Sequence, residues 1–178
     1  MGLRLAALAA ATAALVGCSG DRGRVPEADP EAVERGLERI ATAEATFYWP
    51  GRAADGSPLT RAELQGPGRA IFFYGTCELP EGEGGCAVPA QVQNFPFRRS
   101  DWGRAVGCRR LRDVRGVPAA HHDSLVLFTA SAVVKIYASR PRRVAAALRA
   151  VGGAAPSRPL PRPSAAVVRT IDRVCGRT

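Results

Sequence analysis

The chain has 178 residues, 46% of them hydrophobic and 23% charged, which is room for one ordinary domain with a tail and too little for most two-lobed architectures. That apolar fraction excludes wholesale disorder and a collagen-like fibre. The formal charge is +9, carried almost wholly by arginine because Lys135 is the single lysine, and the five cysteines are an odd number.

Residues 1–18 read MGLRLAALAAATAALVGC. Arg4 and the terminal amine make a short positive region, followed by the uncharged stretch Leu5–Val16. Its 12 residues suit the apolar core of a signal peptide and fall short of the ~20 that span a bilayer as a helix. A segment apolar on every side also argues against a helix of the mature fold. Leu15-Val16-Gly17-Cys18 resembles the lipobox of bacterial lipoproteins: an aliphatic residue, a small or branched one, Gly or Ala, then Cys. The resemblance covers these 18 residues and carries no implication for the domain behind them. It implies that 1–17 is a lipoprotein signal peptide, that Cys18 receives a thioether-linked diacylglyceryl group, and that cleavage leaves Cys18 as the first mature residue. Two acyl chains, at ~0.8 kcal/mol per buried CH₂, hold a protein stably to a bilayer. The expected location is therefore the outer face of the bacterial cytoplasmic membrane or the periplasmic side of the envelope. Ala9-Ala10-Ala11 and Ala13-Ala14-Leu15 offer weaker sites for cutting as an ordinary secreted protein, and Ala6 stands where a myristoylation signal wants Ser or Thr.

With Cys18 lipidated, Cys77, Cys86, Cys108 and Cys175 remain, an even set in an oxidising compartment. Two disulfides with three connectivities are open to them. The Gly-rich acidic ELPEGEGG between Cys77 and Cys86 folds back on itself readily, which favours Cys77–Cys86 and leaves Cys108 with Cys175. No C-x₂-C metal pair or redox motif occurs.

Ser19–Asp29 is polar with Gly and Pro, a tether (18–29) standing the domain 30–178 off the membrane. Asp29 caps and Pro30 opens a first helix, with Val33, Leu37, Ile40 and Ala41 on one face. Thr46–Trp49 is a short β-prone run. Ala70–Tyr74, apolar between Gly68 and Gly75, suits a central strand, and Val88–Gln93 alternates as a strand that Pro89 places at an edge or starts later. Leu125–Ala138 reads as two strands joined around Ala130-Ser131. A second helix is expected over about 140–151, ended by Gly152-Gly153, then a Pro-rich connector 152–163 and a C-terminal helix 164–175 capped by Ser164. In that last helix Val168, Ile171 and Cys175 align toward the core.

Chemistry-bearing residues are sparse. His121-His122-Asp123 reads as a polar turn, since adjacent residues rarely converge on one metal. Glu78, Glu81, Glu83 and Asp101 are candidates for the paired carboxylates of glycosidase-type chemistry, but the glutamates lie in the expected disulfide turn. No G-x-S-x-G elbow, P-loop or G-x-G-x-x-G is present. Arginines gather at Arg98, Arg99, Arg104, Arg109, Arg110, Arg112 and Arg115 around Trp102, and again at Arg140, Arg142, Arg143 and Arg149. Export turns such basicity from nucleic acid toward anionic lipid or acidic envelope polymers, worth ~1 kcal/mol per charge near the surface; a G+C-rich genome writing Arg for Lys is the competing explanation.

The sequence thus predicts one α+β domain, an antiparallel sheet with helices packed on one face, stapled by two disulfides. It is expected to be a membrane-anchored, non-enzymatic binding or accessory module of the cell envelope. No catalytic residue, cofactor or metal is assigned. Its partners are the bilayer through Cys18, an anionic lipid or polymer at the Arg-rich surface, and an envelope protein, with no nucleic acid. A small lipid-anchored envelope hydrolase is the alternative.

Overall fold

A computed structural model describes residues 29–76, 88–96, 108–121, 123–153 and 159–175. Among these, ten strands and three helices follow in the order α1 (Pro30–Ala41), β1 (Tyr48–Trp49), β2 (Ala53–Ala54), β3 (Ser57–Gly66), β4 (Arg69–Tyr74), β5 (Ala90–Pro96), β6 (Arg109–Val114), β7 (Val117–His121), β8 (Leu125–Phe128), β9 (Ala132–Ala138), α2 (Pro141–Ala147), β10 (Arg149–Ala150) and α3 (Ala165–Val174). The α+β class and the antiparallel sheet are as expected from the sequence.

Eight strands form one sheet in the order β2-β3-β4-β5-β9-β8-β7-β6. It consists of two hairpin-connected meanders, β2 to β5 and β6 to β9, joined where β5 pairs antiparallel with β9 from Ala90↔Ala138 to Pro96↔Ala132. β5 begins just after Pro89 and is central, so the proline delays the strand and does not push it to an edge. The sequence reading missed β3, β6 and β7. Their signals lie in the turns: Asp55-Gly56 and Arg115-Gly116 each connect two strands with positive φ at both positions, the backbone that a two-residue hairpin twisted like its strands requires. Pro67-Gly68 makes the turn between β3 and β4, with positive φ at Gly68 alone of the two.

α1 forms as its capping residues dictate. Asp29 Oδ1 accepts the Glu31 backbone N–H at 2.9 Å and Pro30 occupies the first turn. Val33, Leu37 and Ile40 are buried against β3 and the inner sheet face, while Ala41 is exposed; each large apolar side chain so enclosed contributes roughly 1.5–3 kcal/mol. Gly36 permits the approach, because a Cβ there would stand 2.1 Å from the Ala62 carbonyl oxygen of β3.

The main core lies under this inner face. Phe72, Tyr74, Val92, Leu125, Leu127, Val134 and Ile136 meet α1 and the α2 residues Val144 and Ala145. α3 departs from the expectation of helices on one face: Ile171, Val167, Val174 and Cys175 pack with Ala120, Val126, Phe128 and Val133 on the opposite, outer face. The reason is visible in β8, where Leu125, Val126, Leu127 and Phe128 are all buried. A strand apolar on both sides has to be covered on both. The Cys108–Cys175 disulfide, spanning 67 positions with Cα atoms 4.7 Å apart, fastens α3 there. Cys77 and Cys86 lie outside the described residues.

The second helix is shorter than the sequence suggests. It stops at Ala147 because Leu148 takes an extended conformation (φ −58, ψ 138), and Arg149–Ala150 becomes β10, antiparallel to β1. Pairing with Tyr48 and Trp49 satisfies backbone groups of β1, and the Val151 N–H donates to Phe47 O at 2.9 Å. The start of α2 is held by Asp55 of the β2–β3 turn, which accepts hydrogen bonds from Ser139 Oγ (2.6 Å), the Arg140 backbone N–H (2.9 Å) and Arg140 Nε (2.6 Å). The bond from Ser139 first, then the Arg140 backbone N–H, holds the Asp55 carboxyl at about 2, so it stays ionised at ordinary pH.

Candidate functional site

The outer face of the sheet divides into two parts. α3 seals the β7–β8–β9 end. On β4, β5 and β9 the register places a second set of residues outward: Ile71 beside Gln93 beside Lys135, and Phe73 beside Gln91 beside Tyr137. β3 adds Arg61 beside Phe73 and Glu63 beside Ile71. Ile71 is buried, the rings, glutamines and Lys135 are half-buried, and Arg61 and Arg69 are exposed.

Cations lie over the rings of this face. The Arg61 guanidinium carbon stands 4.0 Å from the Phe73 ring centre. Phe95 carries two, the Arg69 guanidinium carbon at 5.0 Å and Lys135 Nζ at 5.8 Å. Such contacts with the negative ring face hold a cation for about 0.5–1 kcal/mol at exposed sites. Arg61 is also compensated by Glu63, Nε to Oε1 at 3.0 Å. Among the described residues Arg69 and Lys135 have no carboxylate partner. Gln93 Nε2 donates to Gln91 Oε1 at 3.0 Å, so the two amides stand side by side along β5. At the far end burial pushes the Tyr137 phenol above its ordinary value, with Ser124 and Asp123 beside it. This face thus presents two cations at the Phe95 end, with neutral hydrogen-bonding groups next to them.

A shallow cleft of about 360 Å³ lies elsewhere, lined by Glu34, Leu37, Glu38, Ala41, Trp49, Arg52, Val151 and Gly152. Arg52 bridges to Glu34 across its rim, and that hydrogen bond holds the Glu34 carboxyl below its ordinary value. Trp49 Nε1 is buried without an acceptor among the described residues, and Arg149 lies over the Trp49 ring at 5.6 Å.

The arginines singled out in the sequence are separated by the fold. Arg110 is tied to Asp113 (2.7 Å) and Asp172 (3.0 Å), joining β6 to α3. Arg115 donates to the Leu148 carbonyl at the end of α2, Arg140 pairs with Asp55 (2.6 Å), and Arg149 stacks on Trp49. Arg109, Arg112, Arg142 and Arg143 are exposed. Arg98, Arg99, Arg104, Trp102, Asp101, Glu78, Glu81, Glu83, His122 and Cys18 lie outside the described residues. His121 ends β7 opposite Leu125, and Asp123 and Ser124 continue the turn into β8. No group of three His, Cys, Asp or Glu side chains placed to hold a metal occurs among the described residues. Sequence reading missed the Arg69–Phe95–Lys135 cluster because its members come from three strands; the signal within reach was the lone lysine.

The chain matches no protein-family model, no curated protein and no solved structure.

Proposed function

We propose that the chain is a lipid-anchored extracytoplasmic protein acting as a non-enzymatic binding or accessory module of the cell envelope. Cys18 carries the lipid, 18–29 is the tether, and 30–178 is the working domain. The observation that carries this reading is the Cys108–Cys175 disulfide, whose two cysteines are enclosed in the cluster under α3. A disulfide built into a core is at home where thiols are kept oxidised, which is where the lipobox-like Leu15-Val16-Gly17-Cys18 would deliver the chain. The outward-facing rings, amides and cations of β4, β5 and β9 support recognition as the task.

Cys18→Ala is expected to abolish acyl labelling and to move the protein out of the membrane fraction in its processed, lipid-dependent form. Unchanged labelling and pelleting of the variant would refute the anchor. We also assign Cys77 and Cys86 to a second disulfide. Non-reducing peptide mapping is expected to return them as one linked peptide; a Cys77–Cys108 peptide overturns the pairing.

A further inference from the structure

We propose that the outer face of β4, β5 and β9 binds a carboxylate-bearing polysaccharide of the envelope, one acid group seated between Arg69 and Lys135 beside Phe95. The inference rests on the reading of the chain as an envelope binding module and names the ligand class and the residues.

Three observations carry it. Arg69 of β4 and Lys135 of β9 approach the Phe95 ring from the two strands that flank β5, at 5.0 and 5.8 Å, and no carboxylate of the described residues neutralises either. Like charges gathered without a counter-ion repel, and an anion between them converts that cost into two charge-assisted contacts. The second observation is Lys135 itself. Apart from the two histidines, every other basic side chain in the molecule is arginine, so a composition that writes arginine for lysine does not explain an ammonium at this point. Arg69 offers a planar fork suited to a carboxylate, and Lys135 a compact charge with three donors. The third is the Gln91–Gln93 pair. Their mutual bond (3.0 Å) leaves the Gln93 carbonyl and the Gln91 amino group to meet sugar hydroxyls.

The described carboxylates near this surface set its polarity. Glu63 is offset by Arg61, and Asp123 stands at the opposite end, beside Tyr137. An acid group is therefore drawn to the Phe95 end and a neutral stretch of the chain falls over the glutamines. Strands packed about 4.8 Å apart make an extended, open surface, which fits a polymer.

The test uses the full chain in neutral detergent, titrated with polygalacturonate and with dextran as the uncharged control. Saturable binding to polygalacturonate alone is expected, and R69Q/K135Q should weaken it about tenfold or more, the loss of two charge-assisted contacts. R142Q/R143Q removes the same charge from α2 and should change the affinity less than about twofold. Equal weakening by both pairs overturns the site in favour of general positive charge, and absence of polygalacturonate binding overturns it outright. Doping the micelles with phosphatidylglycerol should leave the affinity unchanged; displacement of the polymer overturns the glycan assignment in favour of lipid. None of these readouts depends on the Cys18 anchor, so loss of the anchor and loss of the site are distinguishable.

Discussion

The double variant C108A/C175A is expected to unfold about 4 kcal/mol more easily than the native chain. The bond closes a long loop, 67 positions in sequence, and in the chain-entropy picture the cost of ordering that loop falls on the folded state once the crosslink is gone. Against a domain stability of about 5–15 kcal/mol, such a loss is a large fraction of the whole. Its distribution in the molecule should be uneven. α3 is reached through a Pro-rich connector and buries only Ile171 and Cys175 fully; beyond those it is held by Arg110–Asp172 at 3.0 Å and by the Arg110 N–H donating to Cys175 O at 3.3 Å. Urea titration should show the lower midpoint, and hydrogen exchange should show protection lost first over Ala165–Val174, with β4, β5 and β9 still protected. A loss below about 1 kcal/mol, within the range of ordinary substitutions, would mean that the apolar contacts of α3 suffice and that the staple is dispensable.

Asn94→Ala should be the most costly polar substitution, at about 3 kcal/mol from two buried backbone groups left unpaired. Asn94 is fully buried in the middle of β5. Its Oδ1 accepts the Tyr48 N–H at 2.7 Å and its Nδ2 donates to Tyr48 O at 2.9 Å. The amide thus serves β1 as a neighbouring strand would, on the side away from β10. Alanine leaves both Tyr48 groups enclosed with neither water nor partner, and also opens space in the core. The readouts are the denaturation midpoint and the emission of Trp49, the next residue of β1, which should shift as the segment loosens. A cost below about 1 kcal/mol would show that β1 is held by β10 and by packing alone.

Much of the architecture was legible locally. α1 announced itself through Asp29, Pro30 and the spacing of Val33, Leu37 and Ile40; β4 through an uninterrupted apolar run; β8 and β9 through two β-prone runs around Ala130-Ser131. β3 and β6 were obscured because their side chains are largely polar or arginine-rich, and an exposed edge strand such as β6 needs little apolar alternation; β7, although buried from Val117 to Ala120, was obscured because Pro and Ala are weak strand signals. The candidate site was illegible for another reason. Arg69, Phe95 and Lys135 sit within three strands that are far apart in sequence, and only the pairing of β5 with both β4 and β9 makes them neighbours.

What the amino-acid order determined by itself is whatever depends on near neighbours along the chain: caps, turns, the apolar stripes of the helices, the lipobox-like run and the charge balance. Tertiary structure alone decided three things. It put α3 on the outer face, because both sides of β8 are apolar and each needs cover. It ended α2 early, because the backbone of β1 takes Arg149 and Ala150 as its partner strand. It turned Arg110, Arg115 and Arg140 into fasteners between segments, while leaving Arg69 and Lys135 beside one ring without a carboxylate partner among the described residues. A formal charge is a property of composition; which charges are already answered by a carboxylate, a carbonyl or a ring is a property of contacts between distant segments.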